Sequence, residues 1–127
     1  QFASSAASDV YKRQIQLTGN DDNALDFNKR GGVGSISVTA NIAPKLCADF
    51  QKSSKTNTKD GQQEAARLDK LLQPIHNSLF IESNPSPVKY AAKLLGLCED
   101  DVRLPLVKIT EPTKEAVKKA LVSANLI

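Results

Sequence analysis

The sequence predicts an α/β chain in which two short parallel strands lead into a layer of helices. Three observations predict this class. A charge-free, β-branched run at 35–39, Ser35-Ile36-Ser37-Val38-Thr39, is bounded by Gly31, Gly32 and Gly34 before it and by Asn41 after it, the signature of a short buried strand in a parallel sheet. A shorter run, Ile15-Gln16-Leu17-Thr18, precedes it across one helical segment, giving the strand-helix-strand-helix order of a right-handed parallel crossover. From residue 62 onward the apolar residues keep mainly to helical spacing.

Composition narrows the function. The 127 residues amount to about one small domain, and 40% hydrophobic content supplies a core without any run of membrane-spanning length. The net charge of +3 is dispersed, and Phe and Tyr are the only aromatic residues, so neither a basic stripe nor a stacking surface points to nucleic acid. Cys47 and Cys98 stand far apart without a second Cys or His at ligand spacing. They read as reduced thiols of a cytoplasmic protein, with no metal site. Gly32 and Gly34 precede a strand, and no third glycine follows, which is the wrong order for a dinucleotide-binding loop.

Residues 1–14 are Ser/Ala-rich, lack either period, and are set apart from the fold as a non-native scar or disordered leader. After the strand at 15–18, Gly19-Asn20-Asp21-Asp22 forms a turn. Asn20 or Asp21 caps a helix over 22–30, whose acids lie in its first turn and Lys29-Arg30 in its last. Gly31 closes it. Thr39, Ala40 and Asn41 form the loop beyond the second strand, at the carboxyl end where α/β folds place their ligands. Pro44 opens a helix to about residue 55, with Leu46 and Phe50 inward, and Asp60-Gly61 ends that segment. Over 62–80, Ala65, Leu68, Leu72, Ile75 and Leu79 step by three, four, three and four, the clearest helical signal in the chain, with a kink expected from Pro74. Asn84-Pro85-Ser86-Pro87 is a rigid turn before a helix over 87–95, capped by Ser86 and stopped by Gly96. An extended connection at 98–109 leads to a last helix capped by Thr110, with Val117, Leu121 and Ala124 inward.

The runs G-N-D-D, G-G-V-G-S-I-S-V-T-A-N, H-N-S-L-F-I-E-S-N-P-S-P-V-K and R-L-P-L, in this order, resemble the C-terminal part of the 4-hydroxy-tetrahydrodipicolinate synthase (dihydrodipicolinate synthase) family over residues 15–127. The resemblance implies a (β/α)8 TIM barrel, in which 15–18 is strand seven and 35–39 is strand eight. Residues 15–58 are then the last two βα units, and 59–127 the C-terminal helical region. It implies a lyase of diaminopimelate and lysine biosynthesis that condenses pyruvate with aspartate semialdehyde, without a cofactor, in a homotetramer. Such a barrel needs about 250 residues, so six βα units are expected upstream. The family's Schiff-base lysine, relay tyrosine and carboxylate-binding arginine are expected there too, leaving no catalytic residue in this chain.

Through the resemblance, Ile36 matches a pyruvate-contacting position, and Gly19 a loop glycine at the substrate mouth; Asn84 lies in a turn that the fold can bring there. The residues alone allow plainer readings. Ile36 reads as a buried strand residue, Gly19 as a turn glycine and Asn84 as a turn former before Pro85. Asp21 and Asp22, which could pass for a catalytic carboxylate pair, read as helix-capping acids, and the lone His76 as structural. Two alternatives stay open, a related aldolase of the N-acetylneuraminate lyase type and a non-catalytic helical interaction module. The sequence upstream of residue 15 separates them.

Overall fold

A computed structural model describes residues 14–127; the leader at 1–14, except Gln14, lies outside the described residues. Five helices carry the architecture: α1 (Ala24–Lys29), α2 (Pro44–Ser54), α3 (Lys59–Ser78), α4 (Ser86–Leu94) and α5 (Glu111–Ser123). The longest, α3, packs along α2 on one side and α5 on the other, and α4 rests on α5. Its stripe of Leu68, Leu72, Ile75 and Leu79 is fully enclosed and meets Phe50 of α2, Ala91 of α4 and Val117 and Leu121 of α5 in one core. Ala24 and Ile42 belong to the same core, so the first helix and the loop beyond residue 39 are built onto the helical layer.

The extended runs are shorter than expected. Among the described residues the pairing is a single parallel bridge between Thr18 and Ser35. It is flanked by backbone bonds from Val33 N to Gln16 O, Thr18 N to Gly34 O and Ile36 N to Thr18 O, at 3.0, 3.0 and 2.9 Å. The direction is the parallel one, but with no strand on either side each segment has just one neighbour to align it. The run also ends early, because Thr39–Asn41 turns into a single 3₁₀ turn instead of continuing as strand and loop.

The helix ends also depart from the sequence reading. Asp60-Gly61 does not end a segment: both lie in the first turn of α3, where Thr58 Oγ1 accepts the Gly61 N–H at 3.1 Å. A threonine cap two residues upstream starts the helix, and a side chain at 61 would run into the Thr56 side chain at 2.7 Å, so glycine there serves close packing. The same helix continues through Pro74 to Ser78. Ser86 is the first residue of α4 and not its cap; Pro85 holds the cap position, and no side chain caps the helix. Thr110 does precede α5, but its hydroxyl donates to Glu82 Oε2 at 2.9 Å, tying the helix start to the 80–85 loop. The expected stops hold at Gly31 and Gly96, whose φ values of 99° and 72° suit glycine.

Candidate functional site

The carboxyl ends of the two paired segments bring Gly19 and Ile36 together. The Thr18 carbonyl, immediately before Gly19, accepts the Ile36 N–H, so the two positions sit side by side across the bridge. Ile36 is not the buried strand residue that its surroundings in the sequence suggest. Its side chain is 73% exposed, because residue alternation turns it away from the face on which α2 packs. Gly19 is exposed, with open space where a side chain would stand. Asn84 lies elsewhere, exposed in the loop between α3 and α4, where it lines a depression of about 530 Å³ with Phe80, Glu82, Pro105 and Val107. Neither Gly19 nor Ile36 lines that depression.

Behind Ile36 the backbone is fixed by side chains from three elements. Gln51 of α2 donates from Nε2 to Ser35 Oγ at 3.0 Å and accepts from Asn28 Nδ2 of α1 at 2.9 Å, forming an amide relay beneath the bridge. Asp21 does not cap its own helix. Its Oδ2 accepts the N–H groups of Val38 and Thr39 at 2.9 and 3.2 Å, at the start of the 3₁₀ turn. The first helix accordingly has no side-chain cap from either Asn20 or Asn23. Thr39, fully buried, places Oγ1 2.7 Å from Nδ1 of His76. Burial pushes the His76 imidazole below its ordinary value, while the carboxylates of Asp21, Asp69 and Asp22 pull it up. His76 is thus a buried structural contact, whereas Asp21 and Gln51 give no local sign in the sequence, since their partners lie sixteen or more residues away.

Cys47 and three lysines elsewhere in the described residues are shifted away from their nucleophilic forms. Burial, first of all, pushes the Cys47 thiol up to about 11, away from the thiolate. The lysines that respond to their surroundings, Lys93, Lys108 and Lys114, are all pushed up by hydrogen bonds to carboxylates. A lysine that attacks a carbonyl needs the opposite shift. Among the described residues, no group of three or more His, Cys, Asp or Glu side chains is placed to hold a metal ion, and no helix is long and apolar enough to cross a membrane.

Comparison with known proteins places this arrangement. The 4-hydroxy-tetrahydrodipicolinate synthase of Pelagibacter ubique is 78% identical over 113 residues, which are 89% of this chain and 39% of that protein. Among solved structures, a monomeric dihydrodipicolinate synthase variant superposes with a TM-score of 0.87 at 32% identity, covering 97% of this chain and 40% of the other. The chloride-inhibited dihydrodipicolinate synthase of Acinetobacter baumannii complexed with pyruvate superposes with a TM-score of 0.86 at 36% identity, covering 96% of this chain and 41% of the other. The chain therefore spans about two fifths of the length of the relatives it matches. The sequence profile of the Dihydrodipicolinate synthetase family matches residues 3–124, and with that match over nearly its whole length the chain belongs to this family of TIM-barrel enzymes.

Proposed function

We propose that this chain is the C-terminal part of a 4-hydroxy-tetrahydrodipicolinate synthase, a lyase that condenses pyruvate with aspartate semialdehyde. The observation that carries the reading is the 78% identity to a synthase over 113 residues, 89% of this chain. Residues 15–18 and 35–39 then supply barrel strands seven and eight, and the parallel bridge at Thr18 and Ser35 is their contact. On this assignment 15–58 holds the last two βα units and 59–127 the helical region outside the barrel. The intact enzyme is a cytoplasmic homotetramer.

The nucleophilic lysine belongs to the part of the relatives' length that this chain does not span. What this chain supplies is a wall of the ketoacid site. The Ile36 backbone, held by the Thr18 carbonyl, approaches pyruvate, and the exposed Ile36 side chain keeps water from the imine carbon. Gly19 leaves room at the mouth, while Asn84, which lines a separate depression, is not part of this wall. Pyruvate as the substrate is supported by the pyruvate complex of the Acinetobacter relative.

Three measurements test the reading. Borohydride reduction with pyruvate should leave the 127-residue chain without a stoichiometric lysine adduct. A hybrid in which the matched 113 residues replace their counterpart in the Pelagibacter synthase should give the adduct and synthase activity. In that hybrid Ile36→Ala should raise the pyruvate KM and lower kcat while the protein stays folded. Unchanged pyruvate kinetics in this variant would remove Ile36 from the site, and stoichiometric labelling of a lysine in the short chain would overturn the division of labour.

A further inference from the structure

We infer that Asp21 and His76 are positioning residues of the ketoacid wall, Asp21 clamping the backbone just beyond Ile36 and His76 anchoring that backbone to the helical core through Thr39. The inference rests on the assignment of Ile36 to the pyruvate site. Because the Ile36 side chain is mostly exposed, packing does not hold it, and its place is inherited from the main chain. On the near side that main chain is fixed by the Ile36 N–H on the Thr18 carbonyl and by Gln51 on the Ser35 hydroxyl.

Beyond Ile36 a continuing strand would pair its amides with a neighbouring strand. Here the Val38 and Thr39 amides instead converge on one side-chain oxygen of Asp21, which accepts both. Asp21 is itself buried, three residues after Thr18, so a single short segment grips the wall on both sides of Ile36. Thr39 then refers the position to α3, since its buried hydroxyl meets His76, whose helix neighbours Leu72, Ile75 and Leu79 are enclosed in the core. Side chains locked by packing and hydrogen bonds are what hold a binding wall to within a fraction of an ångström. Neither Asp21 nor His76 need touch the ketoacid to set its affinity.

The hybrid synthase is the test system. Thr39→Val keeps the side-chain shape and deletes the hydroxyl that meets His76, Thr39→Ser restores it, Asp21→Ala deletes the clamp, and Asp21→Asn keeps an oxygen acceptor. Thr39→Val and Asp21→Ala should each raise the pyruvate KM about fivefold, the effect of losing roughly one buried hydrogen bond's worth of positioning, with a smaller change in kcat. Thr39→Ser and Asp21→Asn should recover most of it, all at a temperature where circular dichroism shows folded protein. A merely structural role would lower the melting temperature and leave KM alone. Should Asp21→Ala fail to fold, the Thr39 pair, which differs by little more than one hydroxyl and a methyl, decides the matter. If Ile36→Ala shifts KM while Thr39→Val does not, the positioning role falls and the site assignment stands; if Ile36→Ala leaves KM unchanged, both fall.

Discussion

Asp100 is held by two lysines at once. Lys93 Nζ lies 2.8 Å and Lys108 Nζ 3.0 Å from its Oδ1, and Lys108 also meets Asp101 at 2.8 Å, pinning the 98–109 connection to α4. These hydrogen bonds, led by that from Lys93, lower the Asp100 carboxyl from 3.8 to about 2. With the folded value below the unfolded one, the contribution to stability is present above pH 3.8 and is lost as the pH falls toward about 2. Urea unfolding across that window should show a fall in stability that Asp100→Asn flattens. The cysteines allow a second measurement, since Cys47 is buried and Cys98 exposed. Iodoacetamide should label Cys98 quickly and Cys47 only after denaturation; equal rates would mean that the inner face of α2 is not packed into the core. At this scale the sequence was a partial guide. It marked His76 as structural and the cysteines as free, but it gave Asp21 a local capping role and Ile36 a buried one. Both departures have one cause, that the partner of a side chain across a fold is not encoded in its neighbours along the chain.

Among the elements, α3 was the most legible, because a stripe that repeats every three or four residues can be satisfied by one helix face alone. That stripe makes a sharp expectation. Leu72 is fully enclosed, and Leu72→Ala should cost about 2–5 kcal/mol through lost burial and the cavity left behind. Thr58→Ala, which removes the cap on Gly61, should cost about 0.5–2 kcal/mol. Denaturant unfolding measures both, and a Thr58 effect equal to the Leu72 effect would contradict the packing described. Helix starts were read less well than helix bodies. Several polar residues stand near each start, and tertiary partners such as Glu82, which takes both the N–H and the hydroxyl of Thr110 at 2.9 Å, decide which one caps. The two extended segments meet in the expected parallel direction, yet among the described residues they make one bridge and no strand, since ladder formation depends on neighbours that no local pattern contains.

For the molecule as a whole, the helical layer and the paired segments differ in how well they are covered. Ile15, Leu17 and Ile36 are 79%, 51% and 73% exposed, whereas the core residues of α3 are enclosed. Exposed apolar groups on unpaired strand edges invite association. The 127-residue chain should therefore associate in light scattering as its concentration rises, and the double variant Leu17→Lys, Ile36→Lys should reduce that association while leaving the helical circular dichroism in place. A wild-type chain that stays monomeric and melts sharply at every concentration would speak against this.

The backbone groups on the outer side of each paired segment have a second consequence. Among the described residues the bridge makes one parallel contact and leaves its outer edges open, a docking template whose specificity is written in hydrogen-bond register. A strand added to either edge is held to that register by the amides and carbonyls already in place.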